Sequence, residues 1–241
     1  MNQNTLLRTY RANRILTNTC IGTAVGVFGT WSYARRGLVY DTTNNAIKPL
    51  KEAGLLPKAV SLPNPTRLHD LMQDYFILDS SRPNNYASWI GSAFSHTGLG
   101  HIVFNMITWS SFAPMLYLLP TRHYAGLIFG SAIASSATYL YDKRGTQAKG
   151  LGASGIVSGI MASVTMFMPT ARARVWGILP MPLWALTGSF FLLDAYFMQA
   201  DMRTGIGHSA HVGGGVFGVL YYAVFLRKYR AHLARGLSGF V

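Results

Sequence analysis

Six apolar runs divide the chain, at 15–33, 100–119, 123–141, 150–168, 175–198 and 207–226. Each approaches the roughly 20 residues that a helix needs to cross a hydrocarbon core of about 30 Å. The polar residues they carry fall at helical spacing: His101 and Asn105 stand four apart, as do Ser154 and Ser158, so each pair shares one helical face. The pattern predicts an all-α, polytopic membrane protein with a single domain. Its parts are a basic amino tail (1–14), a first span (15–33), a long first loop (34–99), a core of five further spans (100–227) and a basic carboxyl tail (228–241).

Composition agrees with a lipid solvent. Half of the 241 residues are hydrophobic and 12% are charged, against about 25% charged in an ordinary soluble domain. The lone Cys20 lies inside the first run and can form no intrachain disulfide. A net charge of +13 raises the question of nucleic acid, but basic residues separated by six apolar segments make no continuous phosphate-binding face. Their positions are more informative. Arg8, Arg11, Arg14, Arg122, Arg172, Arg174, Arg227, Lys228, Arg230 and Arg235 lie in the tails and the even-numbered loops, where no acid occurs. Asp41, Glu52, Asp70, Asp74, Asp79, Asp142 and Asp201 fall in the odd-numbered loops. By the bias of Lys and Arg toward the inner face, both tails face the cytosol or a mitochondrial matrix.

That topology starts spans two, four and six from the same membrane face. His101 and Asn105 then open span two, Ser154 opens span four and His211 opens span six at similar depth. From Ser154 to the stop at Pro169 there are 15 residues, about 22 Å of helix, short of the bilayer core. A helix beginning at Ser154 therefore starts below the surface. The glycine-rich backbone before it, KGLGASG, must line a buried or water-filled cavity. Water beside a helix amino terminus suits hydrolysis.

The stretches HIVFN, GASG and AHVGGGVFG, in this order and on these spans, resemble the rhomboid intramembrane serine proteases, with HxxxN on the second helix, GxSG on the fourth and AHxxGxxxG on the sixth. The likeness covers roughly residues 67–227. It implies a six-helix rhomboid-like bundle and a serine endopeptidase that cuts single-pass membrane proteins within or near their transmembrane helix. It implies Ser154 as nucleophile and His211 as general base in a dyad without a carboxylate. The oxyanion donors are then His101, Asn105 and the Ser154 N–H, and Gly214 and Gly218 are the glycines that let span six approach span four. No cofactor and no metal are expected; the partners are transmembrane substrates and the lipid bilayer.

Two departures bear on subfamily. Ser158 stands where bacterial rhomboids commonly carry a tyrosine that stacks on the base, and the Trp-Arg pair typical of the first loop in many rhomboids is missing. Absence of that tyrosine, together with the segment TRLHDLMQDYFILDSSRPNNYASWIGSAFSH, resembles the mitochondrial presenilin-associated rhomboid-like type. The first 36 residues, with five arginines and no acid, resemble a presequence running into a membrane anchor. Both point to the mitochondrial inner membrane, with the active site on the intermembrane-space side.

Other readings compete. A rhomboid-like scaffold would escort clients without cutting them, but the chain keeps both Ser154 and His211. A haem or metal redox protein would use His96, His101, His208 and His211 near one face, but the inner side offers only His123 and His232, and no HExxH motif occurs. His96 is expected at the mouth of the site and His208 in a loop. Asp194 precedes His211 by 17 residues, about 25 Å along an uninterrupted helix, and is expected to make a structural hydrogen bond and not to complete a triad.

Overall fold

The computed structural model describes residues 3–52, 65–175, 178–200 and 204–238; Asp201 and parts of the first loop and carboxyl tail lie outside them. The chain is mostly helical. Helix α1 (Gln3–Glu52) runs through the first apolar run and into the first connection. There follow α2 (Pro65–Phe76), the two-residue β1 (Leu78–Asp79), α3 (Tyr86–Gly91) and α4 (Leu99–Phe112). Pro114 lacks an N–H and ends the α-helix early, so the second run closes as a 3-10 turn over Ala113–Leu116. Helix α5 (Thr121–Asp142), β2 (Lys149–Gly150) and α6 (Ser154–Phe167) come next.

The fifth run differs from its expected start at 175. Its first residues belong to a hairpin of β3 (Arg172–Val175) and β4 (Leu179–Pro182), and α7 spans Leu183–Gln199. Pro180 and Pro182 hold the backbone extended there and release it into the helix only after the second proline. Helix α8 (His208–Tyr221) continues through a π turn and a 3-10 turn into α9 (Arg230–Ser238). Among the described residues one helical stretch, His208–Ala234, is long and apolar enough by itself to cross a membrane.

Polarity is distributed as lipid requires. Val103, Phe104 and Ile107 on α4, Leu192, Leu193 and Tyr196 on α7, Val216 and Leu220 on α8 and Val224 in the π turn after it are exposed. Asn13, Thr17, Asn105, Ser163, Thr187, Asp194, His208 and His211 are buried. Water would penalise that arrangement; hydrocarbon favours it, because buried polar groups find partners inside the bundle. Asn13 Nδ2 reaches the carbonyls of Tyr117 and Leu119 at 2.9 and 2.7 Å, and the Thr17 and Tyr124 hydroxyls share a 2.7 Å hydrogen bond.

Helix α6 is the axis of the bundle, buried from Gly155 to Val164 and packed on α4, α5 and α8. A Cβ added at Gly214 would overlap the Gly155 carbonyl, and one at Gly218 the Gly159 carbonyl. Both helices thus present glycines four apart, and Ser163 Oγ donates to Gly218 O at 2.9 Å where the two meet. Backbone cannot swing aside as a side chain can. Gly214→Ala or Gly218→Ala is therefore expected to cost about 1–3 kcal/mol, read as a lower thermal midpoint in detergent. Gly188→Ala, with open space around it, should lower it by nothing measurable.

Candidate active site

Helix α6 starts at Ser154, after a tightly held approach. Gly152 has φ +132°, a conformation only glycine adopts without strain. A Cβ there would lie 2.8 and 2.9 Å from Cε1 and Nε2 of His101, so the imidazole rests directly on the loop. The Gly152 N–H donates to Ser92 O at 2.9 Å, and the Ala153 N–H to His96 Nε2 at 3.5 Å. His96 is therefore a buried brace of the approach, 1% exposed, in place of the expected mouth-lining residue. Burial, with the His101 imidazole beside it, pushes its pKa down to about 4, which keeps it neutral and able to accept that bond.

The first connection clamps the same loop. β1 pairs antiparallel with β2, Leu78 opposite Gly150 and Asp79 opposite Lys149. Burial opposes ionisation of Asp79, but the Ser81 hydroxyl and N–H at 2.6 and 2.9 Å, with Lys149 and Arg82 nearby, outweigh it and lower its pKa. Arg82 pairs with Asp74 at 2.6 Å, and the Trp31 indole donates to Ser95 Oγ at 3.1 Å. These contacts hold the connection where the Trp-Arg pair is missing.

Ser154 and His211 meet: the serine hydroxyl and His211 Nε2 are 2.9 Å apart. Behind the imidazole the structure departs from expectation. Asp194 Oδ1 and Oδ2 lie 3.1 and 3.2 Å from His211 Nδ1. The distance along an uninterrupted helix does not apply, because the chain reverses between α7 and α8. Asp194 lies five residues before the end of α7 and His211 three after the start of α8, about 7.5 and 4.5 Å of rise from the reversal. A carboxylate only accepts, so the proton of His211 sits on Nδ1 and Nε2 is left to accept from Ser154.

His208 is not a loop residue but the first residue of α8, 6% exposed. Its Nδ1 lies 2.6 Å from Asp194 Oδ1, and its Nε2 2.7 Å from Thr204 Oγ1. Ring stacking is also supplied from α7. Phe190 stacks on His211 at 5.5 Å between centroids and 28° between planes, and Phe197 lies over His208 at 5.1 Å. Thr187, Phe190, Asp194 and Phe197 recur at intervals of three, four and three; that helical stripe was the available signal. Ser158 is buried within α6.

His101 and Asn105 open α4 as expected. Asn105 is buried, and one amide N–H donates to the His101 carbonyl at 2.9 Å, leaving the second N–H free for another acceptor. His101 Nδ1 lies 3.2 Å from Thr97 Oγ1, so its Nε2 side is the one turned to Gly152. Chemically, the arrangement offers an activated hydroxyl at a helix amino terminus, a base with a defined tautomer, and side-chain donors on the adjacent helix.

Residues 83–228 match the pattern of the rhomboid domain. The chain is 32% identical over 158 residues to Rhomboid protein 1, mitochondrial, of Saccharomyces cerevisiae, covering 62% of this chain and 45% of that protein. It is 28% identical over 161 residues to the presenilin-associated rhomboid-like protein, mitochondrial, of Rattus norvegicus, covering 64% and 42%. With RHOMBOID-like protein 12, mitochondrial, of Arabidopsis thaliana it shares 28% identity over 171 residues, covering 64% and 51%. The chain thus spans about half the length of these relatives.

Proposed function

The chain belongs to the rhomboid family and is an integral mitochondrial membrane protein, and from that premise we propose that it is an intramembrane serine endopeptidase. The observation that carries the reading is the 2.9 Å contact between Ser154 Oγ and His211 Nε2 at the start of α6. In the first step His211 Nε2 takes the Ser154 proton as Oγ bonds to the carbonyl carbon of the scissile peptide. The carbonyl oxygen becomes an oxyanion, received by the Ser154 N–H, which has no acceptor within its own helix, and by His101 and Asn105. Collapse breaks the C–N bond, and the imidazolium returns its proton to the departing amine. Water, activated by the same His211, then hydrolyses the acyl-enzyme. Asp194 holds His211 in the required tautomer.

Substrates are single-pass proteins whose helix unwinds locally into the polar cavity, so a small residue at the cut and helix breakers beyond it favour cleavage. The test is a serine-directed fluorophosphonate on the purified protein. Labelling of Ser154 is the expected result; an unlabelled, folded chain would favour the scaffold. His101→Ala or Asn105→Ala is expected to lower kcat about 10²-fold with KM little changed, in a cleavage assay on a membrane-anchored peptide. Unaltered kcat in both would remove them from the oxyanion site.

Six spans in the mitochondrial inner membrane, with both termini in the matrix, complete the reading. Tags on both ends should resist a protease applied from the intermembrane space. Digestion of one tag only would mean an odd number of spans.

A further inference from the structure

Asp194 lies between two imidazoles although a single base needs only one, and the second, His208, has no part in the chemistry above. We propose that Asp194, His208 and His211 form a binding site for a first-row divalent cation, zinc above all, and that its occupation switches off His211. The blockade rests on the protease reading; the site does not.

One donor atom from each residue lies within 4.8 Å of both others, and all three residues are buried. Four-coordinate zinc with bonds of 2.0–2.1 Å separates its ligand atoms by about 3.3 Å. Asp194 Oδ1 stands 2.6 Å from His208 Nδ1 and 3.1 Å from His211 Nδ1. An ion is thus accommodated if Asp194 withdraws by a few tenths of an ångström and the imidazole donors, within 4.8 Å of each other, adjust around it, with a fourth position left for water. Two imidazoles and a carboxylate are a donor set that zinc favours.

Two further observations point to an ion. A ligating imidazole needs an acceptor for its other N–H, and both have one in place: Thr204 Oγ1 at 2.7 Å from His208 Nε2, and Ser154 Oγ at 2.9 Å from His211 Nε2. His208 also borders a cavity of about 30 Å³, lined with Asp142, Phe197 and Ile206 among others, whose size suits one water.

The proton balance gives the consequence. Without the ion, Nδ1–H of each imidazole faces Asp194. When the ion takes the two Nδ1 lone pairs, each ring moves its single proton to Nε2 through solvent, and none is released. His208 Nε2–H then donates to Thr204. His211 Nε2–H now faces the Ser154 hydroxyl as a donor and cannot accept its proton. The ion inverts the tautomer that the mechanism needs.

The test is calorimetric titration of the detergent-purified full chain with zinc. One ion per chain is expected, with affinity at least tenfold weaker in His208→Gln and in Asp194→Asn, each verified as folded by thermal unfolding. Absent stoichiometric binding, or binding equally tight in both variants, would overturn the site. Cobalt(II) added to the wild-type chain needs no variant: intense visible bands of a four-coordinate ion support the site, and a pale six-coordinate spectrum counts against it. Saturating zinc should cut fluorophosphonate labelling at least tenfold, and a chelator should restore it. Labelling unchanged by zinc would overturn the blockade. Labelling absent even with chelator would sink the protease reading, leaving the titrations to decide the site.

Discussion

Ser154→Ala is expected to abolish both fluorophosphonate labelling and cleavage of a membrane-anchored substrate, with a loss of kcat on the order of 10⁴–10⁶-fold. His211→Ala should lose about as much, and the double variant hardly more than either. The reason for non-additivity is that the 2.9 Å contact is one device. A serine without its base is a weak nucleophile, and a base without the serine has no proton to take. What activity survives comes from the oxyanion donors, which neither substitution touches. Both variants should keep their fold, because Ser154 opens α6 without a capping hydrogen bond and the His211 imidazole bonds to Ser154 and Asp194 and not to the backbone that builds the bundle. Turnover in either purified variant within tenfold of wild type would remove that residue from the mechanism.

The parts of the site legible in sequence are those written at helical spacing. His101 and Asn105 are one turn apart, the glycines of α8 recur every fourth residue, and the start of α6 at Ser154 follows from the Gly-rich approach and the stop at Pro169. The apolar runs fall on α1, α4, α5, α6, α7 and α8. Much of the fold was legible for the same reason: hydrophobic length is recorded residue by residue. Contacts across a chain reversal are not. Asp194 and His211 are distant along the helix axis only if α7 and α8 are one rod, and the hydropathy of 175–198 does not tell where the helix ends. Gly155 and Gly159 escaped notice as packing partners because their meaning depends on which helix faces them. The clamp of the first connection onto β2 was invisible too, since two-residue ladders leave no periodicity.

Asp194→Asn tests whether that unread contact matters to the chemistry. The carboxylate can only accept, so it keeps the proton of His211 on Nδ1 and the lone pair of Nε2 toward Ser154. An asparagine has one accepting oxygen for two imidazoles, and its N–H₂ turned to His211 stabilises the opposite tautomer, with the proton on Nε2. In that state the serine has no base. The imidazolium formed during attack also loses the negative charge that stabilises it. A fall in kcat of about 10³-fold is therefore expected, with KM nearly unchanged because Asp194 is buried behind His211. The fold should persist, since Asn is the same size and can still accept from His208 at the 2.6 Å position. Asp194→Glu, one methylene longer, should recover part of the loss if the negative charge is what counts. Wild-type kcat in Asp194→Asn would return the aspartate to a structural role and leave Ser154 and His211 as a dyad.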